Sequence, residues 1–169
     1  MRAGIGTVMA RAAVAAVVMI AAGACGGASP TTTAANTPAP SPTAAPNVLA
    51  KAETVAGQSM TILVDTRGMT VYRWSTDTGA NKGKINCVGG CAAVWPPFVL
   101  PAAATTAVPG SGVTGTLTTL ANPDGKGTQV LYNGWPLYFY AKDQNPGDTT
   151  GQGVAGKWFV VTPDQAPNA

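Results

Sequence analysis

Histidine is absent from this 169-residue chain. With it go imidazole metal ligands and the base that activates most serine and cysteine nucleophiles, which counts against the commonest hydrolase mechanisms. Charge is also scarce, since Asp, Glu, Lys and Arg make up 10% of the residues. Setting aside Arg2 and Arg11, which lie in an N-terminal leader, leaves eight basic side chains against seven acidic ones. No basic run or stripe remains, so no nucleic acid partner is expected. The apolar run Ala12–Ile20 is about half the ~20 residues that a membrane span needs. Sustained helical periodicity is missing outside that leader.

What is present falls into three zones. A positive start, a short apolar centre and the small residues Ala21–Ala24 read as an export signal over residues 1–24. Small residues immediately before Cys25 resemble the bacterial lipobox, with Ala22 where that pattern prefers Leu. The resemblance implies a diacylglyceryl group on the Cys25 thiol, cleavage just before it, and a membrane partner reached through that lipid. The plainer reading is ordinary secretion with an incidental cysteine. Residues 25–50 then form an Ala/Thr/Pro-rich stretch with almost nothing large to bury, so a disordered tether is expected.

The third zone, residues 51–165, holds all four Trp, all four Tyr and all three Phe. Two stretches share one pattern: Gly68, Tyr72, Trp74, Asp77 and Gly134, Tyr138, Tyr140, Asp143, with identical spacing. Alternation along each run is strand behaviour, because successive side chains face opposite ways. Asp65–Gly68 reads as the turn of a first hairpin joining Thr61–Val64 to Tyr72–Trp74. Asn133-Gly134 signals a two-residue turn in a second. A glycine-bearing loop then leads to a Trp and an apolar tail in both halves, Trp95 with Phe98–Leu100 and Trp158 with Phe159–Val161. The expected fold is all-β: two pseudo-symmetric antiparallel repeats, about 57–104 and about 117–165, forming one small domain with shared aromatics. A unit that small is marginal alone.

Together with Cys87-Val-Gly-Gly-Cys91, Trp95-Pro96-Pro97 and Asn133–Tyr138, the doubled Tyr-x-aromatic-x-x-Asp motif resembles the bacterial lipoproteins known as the secreted repeat of unknown function. The likeness spans nearly all of residues 57–162. It implies an exported, usually lipid-anchored β-repeat protein, and it carries no activity or catalytic residues to transfer.

Several side chains invite chemistry, and each has a bland alternative. Outside the cytoplasm Cys87 and Cys91 are expected to oxidise to a disulfide that shapes the loop before Trp95. The alternative is a dithiol binding a soft cation or handling electrons, with Met60 and Met69 as the only thioethers of the mature chain. Asp77 and Asp143 are expected to cap the turns that follow them. As an acid–base couple they would have to lie about 5–10 Å apart in one cleft. Asp148 alone in its loop reads as a turn residue. Trp74, Trp95, Trp135, Trp158, Tyr138 and Tyr140 could line a glycan groove, but most read as core, with Trp135 beside the turn at Gly134 the best candidate for an exposed ring. Trp95-Pro96-Pro97 is expected to end a strand. The overall expectation is a non-enzymatic, lipid-anchored module on the extracytoplasmic face of the membrane, without a cofactor, binding an envelope protein or glycan or serving structurally. An accessory protein for metal or electron handling through Cys87 and Cys91 is the alternative.

Overall fold

Eight-residue strands β1 (Val48–Val55) and β2 (Gln58–Asp65) form an antiparallel hairpin running from Val48↔Asp65 to Val55↔Gln58. The computed structural model describes residues 45, 47–78 and 83–168. The export signal, Cys25 and nearly all of the tether therefore lie outside the described residues. At its end the tether is shorter than expected: Val48, Leu49 and Ala50 already belong to β1, and Val48 is fully buried. Once Val48 has a core to enter, its burial and the strand ladder offset the ordering entropy that the bare composition cannot.

Further along come β3 (Tyr72–Trp74), a short helix α1 (Gly90–Val94), β4 (Leu117–Ala121), β5 (Thr128–Tyr132), β6 (Trp135–Pro136), a 3-10 turn at Val154–Gly156, and β7 (Trp158–Val160). The sheets are all antiparallel: β1 with β2, β3 with β7, and β4, β5 and β6 in that order. Asn133-Gly134 makes the expected two-residue turn between β5 and β6, with φ of 49° and 83°. Asp65–Gly68 also turns as expected, its carboxylate accepting the amides of Arg67 and Met69.

The first hairpin nevertheless departs from expectation. Beyond one bridge between Val64 and Thr70, β3 leaves β2 and pairs with β7 of the other repeat. The second repeat's tail thus completes the first, and the first repeat's tail completes the second. Leu63 N–H donates to Val161 O at 2.7 Å, and Val130 N–H donates to Phe98 O at 2.8 Å. Val161 N–H donates to Val71 O, and Phe98 N–H to Leu137 O, again in matching places. Where the halves meet, Tyr72 and Tyr138 exchange both backbone hydrogen bonds, at 2.8 and 2.9 Å. That reciprocal pair marks a pseudo-two-fold relation between the repeats.

Strand alternation then sorts the interior into two cores. Ile62, Val64, Tyr72, Tyr138 and Val160 enter one with Cys87, Trp95, Tyr140 and Trp158. Leu63, Val71, Leu137 and Val161, each one residue out of step, enter the other with Val48, Phe98, Val130 and Tyr132. Segments buried on both faces read as continuous apolar runs, as Ile62-Leu63-Val64 does. Trp95 does not end a strand, since its N–H closes α1 on Cys91 O at 2.8 Å.

Candidate functional site

The repeated motif acquires its physical meaning across the pseudo-two-fold. Each tyrosine reaches the aspartate of the other repeat: Tyr72 OH donates to Asp143 Oδ2 at 2.6 Å, and Tyr138 OH donates to Asp77 Oδ2 at 3.0 Å. The second oxygen of each carboxylate is held by the glycine-bearing loop of its own repeat. Asn86 Nδ2 donates to Asp77 Oδ1 at 2.7 Å, while Thr150 donates its hydroxyl and its amide to Asp143 Oδ1. The expectation that these aspartates cap the turns that follow them holds in part for Asp143, which accepts the Thr150 amide, whereas Asp77 takes side-chain donors on both oxygens and is the one corrected. Each carboxylate is also tied to a long-range phenol, a charge-assisted bond that burial strengthens.

All four groups are buried, with Tyr72, Asp77 and Tyr138 at 0% exposure. Burial first, then the hydrogen bond and charge of Asp143, push the Tyr72 phenol far above its ordinary value. Burial and the charge of Asp77 do the same for Tyr138. Burial also pushes Asp77 up to about 6, against the opposing pull of Asn86 and Tyr138. Both phenols are accordingly held as donors at neutral pH.

Above the tyrosines the rings form a column drawn alternately from the two repeats. Trp74 lies parallel to Trp158 (5.2 Å between centroids, 2° between planes), Trp158 to Trp95 (3.8 Å, 4°), and Trp95 to Tyr140 (4.3 Å, 23°). Tyr72 meets Trp95 edge-on at 5.6 Å and Tyr138 meets Trp158 edge-on at 5.3 Å. The column and the two Tyr–Asp pairs thus share one pseudo-symmetry. Trp95, Trp158 and Tyr140 are buried and Trp74 is half-buried. The Trp74 indole N–H is buried with no hydrogen-bond acceptor among the described residues.

Cys87 and Cys91 are joined in a disulfide, with Cα atoms 5.1 Å apart, and Cys87 is fully buried beside Trp95 in the aromatic core. Met60 packs against the same core. Among the described residues no group of three or more His, Cys, Asp or Glu is placed to hold a metal ion. Asp148 closes a turn on the amides of Gln144 and Asn145, both at 2.8 Å, and these bonds hold its carboxyl below the ordinary value.

Trp135 is not at the surface. It is 6% exposed, its indole donates to Ala166 O at 3.0 Å, and Arg73 lies over its ring at 4.6 Å. The C-terminal tail covers it, a contact no local pattern foretells. The rings that do face a surface hollow are Phe98 and Phe139, with Arg67 5.5 Å above Phe139 and a volume of about 310 Å³. Sequence reasoning singled out neither, because Phe98 stands in the apolar tail Phe98–Leu100 and Phe139 between the two tyrosines of the repeat motif, where both read as core.

Residues 53–99 and 118–162 each match the family described as a secreted repeat of unknown function. The two segments meet at the Tyr72–Tyr138 pair and carry one Tyr–x–aromatic–x–x–Asp motif apiece. No curated protein and no solved structure matches the chain.

Proposed function

We propose, from the premise that the chain belongs to the family of secreted repeats of unknown function, that it works as a lipid-anchored, non-enzymatic binding or structural module. The family places the chain outside the cytoplasm. Attachment is assigned to a lipid on Cys25, on the small residues Ala21–Ala24 that precede it; among the described residues no helix is long and apolar enough to cross a membrane. The observation that carries the non-enzymatic part is the internal use of the reactive groups. Asp77 and Asp143 are spent on Tyr138 and Tyr72, and the two thiols of the domain are spent on each other. Groups committed in this way order a scaffold, which leaves recognition to the outer surface.

The partner is an envelope protein or glycan. Metabolic labelling with a palmitate analogue, followed by crosslinking in intact cells and pull-down, tests both halves. The wild-type chain should carry label and bring down a defined envelope component, and Cys25→Ser should lose the label and the membrane fraction. A labelled Cys25→Ser chain would sink the anchor, and a wild-type chain that crosslinks to nothing would sink the binding role.

A further inference from the structure

We propose that the aromatic column is a site of one-electron oxidation, in which a hole entering at Trp74 moves through Trp158 and Trp95 and settles on Tyr72 or Tyr138 as the phenolic proton passes to Asp143 or Asp77. This goes beyond the binding reading and does not depend on it.

Four observations carry it. First, three indoles and a phenol stack without interruption, at 5.2, 3.8 and 4.3 Å between centroids. The outer two contacts are the offset stacks that aromatic pairs favour, whereas Trp95 and Trp158, at 3.8 Å and 4°, lie nearly face to face, where ring quadrupoles repel. Removing an electron reverses that balance: a positive ring is attracted to the electron-rich face of its neighbour and shares its charge with it. The near-parallel Trp95–Trp158 pair is the tightest contact and lies on the pseudo-two-fold, so it is the place where a hole spreads most easily.

Second, the column has one open end. Trp74 is half-buried while Trp158, Trp95 and Tyr140 are buried, so an outer-sphere oxidant in solution reaches Trp74 first. Its buried N–H has no acceptor among the described residues, which keeps an oxidised Trp74 from shedding a proton there and trapping the hole.

Third, each inner indole touches a tyrosine already bonded to a carboxylate: Tyr72 edge-on to Trp95, and Tyr138 edge-on to Trp158. A phenol becomes a strong acid once oxidised, and an uncompensated positive charge in the interior is costly. The carboxylate oxygens, at 2.6 and 3.0 Å, accept the proton along an existing hydrogen bond. The step balances as follows. The oxidant, of the class of outer-sphere one-electron acceptors stronger than tyrosine, gains one electron. The phenol O–H bond breaks, an O–H bond forms on the aspartate, and a neutral tyrosyl radical remains beside a neutral carboxylic acid. Buried charge falls from one to none.

Fourth, the two tyrosines outside this arrangement lack it. Tyr132 OH donates to the carbonyl of Pro163, which cannot take up a proton, and it lies in the other core. Tyr140 has its ring in the column, and no carboxylate among the described residues accepts from its hydroxyl. The raised proton affinity of Asp77 agrees with its role as acceptor.

The test uses the full chain in detergent micelles with photogenerated tris(bipyridine)ruthenium(III) as oxidant, read by transient absorption and electron paramagnetic resonance. Wild type should give an indole radical cation that decays into a tyrosyl radical. Tyr72→Phe together with Tyr138→Phe should lose the tyrosyl signal, while Tyr132→Phe keeps it. Growth of the tyrosyl signal in the wild type should slow in deuterated water, a readout that survives even if the double variant does not fold. A tyrosyl signal that persists in the folded double variant, or wild-type growth indifferent to deuterium, would overturn the proposal.

Discussion

Asp77 shows how much one buried carboxylate can say about a fold. It is wholly buried, and its acidity is weakened from 3.8 to about 6 mainly because burial penalises its charge. An acid whose folded value lies above its unfolded one binds its proton more tightly when folded. Stability attributable to Asp77 is therefore complete below pH 3.8 and declines as pH rises to about 6, beyond which the cost is constant. Asp77→Asn removes the titration but keeps an oxygen for the Tyr138 hydroxyl, and the Asn86 amide can turn to present its own oxygen. The stability difference between wild type and variant, from urea midpoints at intervals across that window, should shift against the wild type with rising pH. The shift should be on the order of 1–3 kcal/mol, the upper bound being the full linkage of a rise from 3.8 to about 6. A flat difference would mean that Asp77 is as well solvated as a surface carboxylate. The doubled motif itself was legible at this scale, because Tyr72, Asp77, Tyr138 and Asp143 recur at fixed spacing. Their pairing was not: spacing within a repeat says nothing about a partner 71 residues away, as Asp143 is from Tyr72.

At the scale of elements, the glycine-bearing loops explain themselves through what they approach. A methyl group on Gly151 would lie 2.8 Å from Tyr72 Cζ and 3.0 Å from Trp95 Cη2, so the loop must pass bare against the phenol whose hydroxyl accepts the Gly151 amide. Neither ring can retreat, because Tyr72 is tied to Asp143 and Trp95 is stacked on both faces. Gly151→Ala should thus destabilise by about 1–3 kcal/mol, the usual cost of overpacking. Gly90→Ala is the matched control. Nothing lies within 4 Å of its added methyl, and it opens α1, where alanine gains up to about 1 kcal/mol over glycine. Equal urea midpoints for the two variants would contradict the close approach. What sequence revealed of the elements followed turn chemistry. Asn133-Gly134 announced its hairpin, whereas Ala56-Gly57 makes the same kind of turn between β1 and β2, with φ of 50° and 83°, and concealed it. Alanine seldom adopts a positive φ, so a strand of small and charged residues ahead of it reads as more tether.

For the whole molecule, the decisive fact is that neither repeat is closed by its own chain. β7 completes the first repeat against β3, and Pro97–Leu100 bonds to Gln129–Tyr138 in the second. The column alternates repeats at every ring, so separating the halves would leave each with no stacked neighbour from the column. Duplication in sequence therefore does not mean modular folding here; the duplicated unit is a half-domain that uses its twin as its missing strands. Two sheets of two strands and one of three would each be marginal alone, and they become stable because both cores are shared. Cleavage between Ala102 and Ala103, both exposed in the joining loop, should yield two fragments that are each unfolded, with flat near-ultraviolet circular dichroism. On mixing in equal amounts the fragments should recover the aromatic signal of the uncut chain, because the interface between them contains the whole indole stack. Either fragment showing that signal by itself would mean that the repeats fold independently and that the exchange of tails is incidental to stability.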